Sequence, residues 1–104
     1  MDQLTIVRLK GEIDSETIPV ISDNIDGQAK YLDRNILLDF EDVTNVDSST
    51  LAYIITLLDK LQKHHRKLGV INTNPLLDNH LSIEKVDLMI HKYKDENEAL
   101  KDLS

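Results

Sequence analysis

Residues 36–51 read ILLDFEDVTNVDSSTL, and the order of chemistries in that stretch decides the expected fold. Ile36-Leu37-Leu38-Asp39-Phe40 is a short apolar run that reads as a buried strand. It falls into an acidic turn around Glu41 and Asp42, and Asp47-Ser48-Ser49 then opens a helix. Leu51, Ile54, Ile55, Leu58 and Leu61 recur at spacings of three and four, the stripe of a helix that faces a core. Lys60, Lys63, Arg66 and Lys67 crowd its far end, where cations suit the helix dipole, and Gly69 is placed to end it.

Working outward, Thr5-Ile6-Val7-Arg8-Leu9 is β-branched and alternating. Val7, Leu9 and Ile13 fall on one face, Arg8 and Lys10 on the other, and Gly11 interrupts the run. From Asp14 the period changes. Asp14 or Ser15 caps a predicted helix whose first turn holds Pro19, with Ile18, Ile21, Ile25 and Leu32 along one stripe. Beyond the central helix, Val70 to Thr73 reads as a strand and Pro75 opens a helix to about Lys85. That helix carries Leu76, Leu77, Leu81 and Ile83. Leu88-Met89-Ile90-His91 reads as a last strand. Asp95 to Leu103 reads as a last helix with Ala99, Leu100 and Leu103 inward. Strands alternating with helices predict an α/β sandwich. Its sheet is mixed but mainly parallel, with about four to five strands and about four helices.

The 104 residues suit one domain, 1–104. A chain of this size buries roughly 60–70% of its unfolded surface. No cysteine is present, which excludes disulfide staples and thiol catalysis. Nineteen acidic residues against 12 Lys and Arg give a net charge of −7. That sign repels nucleic acid and anionic membrane and favours a protein partner with a basic surface. The apolar runs are far shorter than the roughly 20 residues of a membrane helix. The opening Met1-Asp2-Gln3 has no signal-peptide pattern, so a cytoplasmic location is expected.

Two roles suit the serine pair. Asp47 or Ser48 can simply cap the helix, its side-chain oxygen accepting an orphan amide proton, with Ser49 a passenger in the first turn. Alternatively, Ser49 accepts a phosphate. The exposed amides and the dipole at a helix start tolerate an added anion, so a charge of about −1.5 to −2 there would act on whatever docks rather than melt the helix.

Several motifs together carry a family resemblance. Leu9-Lys10-Gly11-Glu12-Ile13-Asp14, the run Ile36 to Leu51, Asn74-Pro75 and Glu98-Ala99-Leu100 follow one another at the spacing of the bacterial anti-sigma factor antagonists of the STAS family, which the chain resembles over nearly its whole length. The resemblance implies partner switching. The unphosphorylated antagonist binds an anti-sigma factor that is itself a serine kinase, and so frees the sigma factor. Phosphorylation on the second serine of D-S-S separates the two, and a PP2C-type phosphatase reverses it. Carried over by position, the phosphoacceptor is Ser49. The partner-binding residues are Asp14, Thr17, Asp42, Thr44, Asn45, Val46, Asp47, Ser48, Ser49, Thr50 and Tyr53. Thr50 stands where the family usually has Gly, adding bulk beside Ser49. Leu81-Ser82-Ile83 replaces a common Thr-Gly-Leu, and the extra N-terminal strand of many members is short or absent. The resemblance also admits a scaffold or adaptor that is never phosphorylated.

Other chemistries are poorly supplied. His64 and His65 are adjacent and point about 100° apart on a helix, which does not make the i, i+4 pair of a zinc site. His80 and His91 have no ligand spacing, and Glu41, Asp42 and Asp47 read as a solvated turn or a partner-facing surface. No metal or cofactor is therefore expected. A Ser-His-Asp hydrolase built on Ser49 lacks the G-x-S-x-G elbow, and no phosphate-binding G-x-x-x-x-G-K-[ST] loop is present. A binding protein, not an enzyme, is the expectation.

Overall fold

The computed structural model describes residues 4–28, 34–75, 77–79 and 89–103. In chain order the elements are β1 (Leu4–Ile13), α1 (Ile18–Gln28), β2 (Asn35–Val46), α2 (Ser48–Lys63), β3 (Leu68–Ile71), β4 (His91–Lys92) and α3 (Glu96–Leu103). Pro75 and residues 77–79 are also helical, capped by Asn74, whose side chain accepts the Leu77 N–H at 2.8 Å. The four strands lie in the order β1-β2-β3-β4. Every pairing among the described residues is parallel, and the expected α/β class holds.

Leu37 explains why β2 sits at the centre. Ile36, Leu38 and Phe40 point into a large core with Val7, Leu9, Ile13, Val70 and the inner faces of α1 and α2. Leu37 points the other way, onto Leu4, Ile71, Ala99 and Leu103, where α3 covers the second face. A strand covered on both sides needs apolar residues in unbroken succession, which is what 36–40 supplies apart from Asp39. Each fully buried side chain of this kind contributes about 1.5–3 kcal/mol.

Asp39 is 4% exposed yet fully partnered. It accepts from Arg8 Nη1 at 2.8 Å, Asn72 Nδ2 at 2.9 Å and the Glu41 N–H at 3.0 Å. Burial pushes its carboxyl up, but the bonds from Asn72, Glu41 and Arg8 outweigh this and hold it below the usual carboxylate range. Arg8 also reaches Glu96 at 2.6 Å, tying the start of α3 to the sheet.

Several boundaries differ from expectation. The acidic turn expected at 41–46 is strand: β2 continues to Val46 by pairing with Lys10–Ile13. Two register shifts let it do so. Arg8 pairs with Asp39 but Lys10 with Asp42, and Gly11 with Val43 but Glu12 with Asn45, so β2 gains an extra residue at each step. Such bulges bend the strand and increase its twist. Gly11, on the facing strand, takes φ +75°, which favours a residue without Cβ.

Gly69 does not end α2. His65 does, with φ 58°: its N–H bonds to Gln62 O at 3.0 Å, and Arg66 N–H bonds to Leu61 O at 2.8 Å, the paired bonds of a Schellman cap. Gly69 lies inside β3, which begins and ends two residues earlier than expected; Asn72, at φ 56°, turns the chain out of it. The last strand is His91–Lys92, not 88–91. Met89 and Ile90 form the approach, and Ile90 is buried in the larger core. Leu88, Leu32, Leu76, His80, Leu81 to Ile83 and Lys85 lie outside the described residues.

Candidate functional site

The start of α2 is fastened by its own sequence and by one carbonyl from β1. Asp47 has extended backbone and caps the helix, its Oδ1 accepting the Ser49 N–H at 2.8 Å. Its own N–H reaches Ile13 O at 3.3 Å. Thr50 Oγ1 donates to that same Ile13 O at 3.1 Å. A residue at the end of β1 therefore fixes both the cap and the first turn of a helix that begins 35 positions later in the chain.

That bond determines which way each hydroxyl points. Thr50 is only 2% exposed. Being inside, it adds no bulk at the surface beside Ser49, contrary to the expectation from sequence. Asp47 and Ser48 are exposed, and Ser49 is half-buried at the mouth of a depression between α1 and α2. The depression has a volume of about 410 Å³, and its lining includes Ile18, Pro19, Ala52 and Tyr53. Ser15 and Ser22 line it from α1 and the preceding turn, with Thr56 and Lys60 further along α2. No acidic side chain stands in the first turn of α2, whose dipole and amides favour negative charge.

Asp14 and Thr17 shape the turn that leads from β1 into α1. Asp14 Oδ1 accepts the Glu16 and Thr17 N–H groups at 2.9 and 3.0 Å, and Thr17 Oγ1 accepts the Asp14 N–H at 2.9 Å. These bonds, the one from Thr17 first and then that from Glu16, hold the Asp14 carboxyl below the usual range. Thr17 Oγ1 also donates to Glu12 O at 3.1 Å, which fixes the turn from β1 into α1 beside Ser49's depression.

Of the residues singled out from sequence, Ser49 and Tyr53 line the α1–α2 depression, and Asp47 and Ser48 are exposed at the start of α2. Asp14 holds the turn before α1, and Thr17 faces a separate groove along β1. Asp42, Thr44 and Asn45 are exposed on the last stretch of β2 that leads to the cap. Val46 and Thr50 are buried, so their side chains support the rim from beneath and do not form it. Ser15 and Lys60 were read only as a cap candidate and a helix-end cation, and Ser22 and Thr56 were not singled out. Their signal was the spacing 15, 18, 19, 22 and 49, 52, 53, 56, 60, one helical stripe on each side of the depression. Among the described residues, no three His, Asp or Glu side chains converge as metal ligands. No described helix is long and apolar enough to cross a membrane.

The chain has recognisable relatives among solved structures. No curated protein sequence matches it. Among solved structures it is similar to the Thermotoga maritima protein TM1081, described as a candidate anti-sigma factor antagonist, with a TM-score of 0.87 and 20% identity across 99% of this chain and 89% of that one. An anti-sigma factor antagonist from Mycobacterium paratuberculosis gives 0.83 and 22% across 99% and 87%. The Bacillus cell fate determinant SpoIIAA, solved in its phosphorylated form, gives 0.75 and 17% across 93% and 88%. These likenesses concern the fold. The family model for the STAS domain matches residues 1–99, and the chain belongs to the STAS domain family.

Proposed function

We propose that this protein is an anti-sigma factor antagonist whose unphosphorylated form binds an anti-sigma factor that is also a serine kinase, and that phosphorylation of Ser49 ends the complex. The observation that carries the reading is the placement of one hydroxyl. Ser49 sits half-buried at the mouth of the α1–α2 depression, on a first turn fastened by Asp47 and the Ile13 carbonyl. An attacking kinase and a docking surface would share that point.

The physical mechanism is local. A phosphate on Ser49 brings about −1.5 to −2 charges. In a docked interface it must lose hydration or find a cation, and an uncompensated buried charge costs several kcal/mol. A hundredfold change in affinity needs only about 2.8 kcal/mol. The helix start already favours an anion, so the modified chain keeps its shape and the repulsion falls on the partner. A PP2C-type phosphatase would reset the switch in the cytoplasm. The chain acts by binding and performs no catalysis itself.

The test is phosphotransfer. Incubated with its cognate anti-sigma factor and ATP, the wild-type chain should gain the mass of a single phosphoryl group, and Ser49→Ala should gain none. A complex that forms with both and transfers no phosphate to either would replace the switch with a scaffold role.

A further inference from the structure

α1 separates two surfaces. Ser15, Ile18, Pro19 and Ser22 face the depression beside Ser49. Thr17, Val20, Ile21 and Asn24 face a second groove, of about 290 Å³, that runs along β1. β1 is the outer strand of the sheet, and among the described residues no strand pairs with its free side. Unpaired strand edges are usually short, charged or covered, because their open N–H and C=O groups recruit other strands. This one is ten residues long, and its charged residues, Arg8, Lys10 and Glu12, are of both signs and so do not repel a second copy of the same strand.

The groove shows what the edge lacks. Val7, Leu9 and Ile13 line it from β1 together with Arg8 and Lys10, and Val20 and Ile21 line it from α1. Val20 is 63% exposed, more than either of the other large exposed hydrophobic side chains described, Ile55 and Met89. Leu4, Val7 and Leu9 keep 6–8% exposure, whereas Ile36 and Leu38 on the neighbouring strand keep 0–1%. A further strand laid along β1 would satisfy the open backbone groups and seal this apolar margin.

We infer that the occupant is β1 of a second copy of this chain, paired antiparallel about a two-fold axis at Gly11. Residues opposite each other in an antiparallel pair share a face, so the axis can move only so that like faces meet. With the axis at Gly11, Lys10 lies opposite Glu12 of the second copy, twice by symmetry, and Leu9 lies opposite Ile13 on the groove side. With the axis at Lys10, Arg8 meets Glu12 but the lysine opposes itself. With it at Leu9, Arg8 opposes Lys10, and with it at Val7 no charges of β1 meet. Only the first register pairs unlike charges without opposing like ones. Arg8, Lys10 and Glu12 are all exposed. Gly11 leaves the axis open, since a Cβ built there meets nothing within 4 Å. The Glu12 carbonyl already accepts from Thr17 Oγ1 at 3.1 Å and retains a second lone pair for the new ladder. Pairing along this edge leaves the opposite side of α1, and Ser49 with it, open in each copy. The inference stands independently of the phosphorylation reading.

Sedimentation equilibrium of the full chain tests it. The wild type should dimerise reversibly. Lys10→Glu and Glu12→Lys should each weaken the dimer roughly tenfold by opposing like charges, and the double charge swap should restore it. Val20→Asp should also favour the monomer, with unchanged far-UV circular dichroism showing that the fold survives. A wild type that stays monomeric at its highest soluble concentration would overturn the proposal. So would a dimer indifferent to these changes, or one that the double swap fails to restore.

Discussion

Thr50 and Ser49 are adjacent in the chain and opposite in fate, and a single carbonyl separates them. Ile13 O holds the Thr50 hydroxyl inside, which turns Ser49 toward the opening. Thr50→Val keeps the shape and removes the donor, so it should cost about 1 kcal/mol in denaturant unfolding while Ser49 stays accessible to a kinase. The D-S-S motif and its cap were legible because capping is local chemistry. The inward bond of Thr50 was not, because its acceptor lies 37 residues away in β1. Asp39 makes a second prediction at this scale. Its carboxyl is held below the ordinary range, so the ionised form stabilises the fold. That contribution is complete above the unfolded value of about 3.9 and is lost as pH falls through the lower folded value. Wild-type stability measured by urea titration should therefore decline below about pH 4. Asp39→Asn should lack that share of the decline, with a lower plateau at neutral pH.

Among elements, type was easier to read than extent. The spacing of Leu51, Ile54, Ile55, Leu58 and Leu61 identified α2; Ile54, Leu58 and Leu61 are buried, whereas Ile55, expected inward, is 38% exposed because it falls at the margin of the stripe. Its end was misassigned, because a histidine in the left-handed region does the work usually given to glycine. Residues 41–46 look like a turn by charge, yet they remain strand because bulges let β2 follow β1 to its end. Gly69, freed from the role of terminator, has another. A Cβ there would lie 2.7 Å from Leu103 Cδ1 and 2.9 Å from Tyr93 Cε2. β3 and α3 thus approach as closely as they do because that residue has no side chain. Gly69→Ala should push α3 outward and destabilise the protein by about 1–3 kcal/mol, seen as a lower urea midpoint. Hydrogen exchange should quicken first in residues 96–103.

For the molecule as a whole, alternation of strand and helix foretold the parallel sheet, and the motif order foretold the family that the match over residues 1–99 shows. What alternation does not encode is which faces stay uncovered. The β1 edge and the α1–α2 depression emerge only when α1 is placed between them. The proposed switch would act through charge, since the start of α2 is held at two points by the Ile13 carbonyl. The most direct measurement is the affinity of the cognate anti-sigma factor for the chain before and after stoichiometric phosphorylation, with Ser49→Asp alongside. A loss of about a hundredfold or more for the phosphorylated chain, and a weakening in the same direction for Ser49→Asp, is predicted, with the far-UV spectrum unchanged. Equal affinity in all three forms would contradict the account.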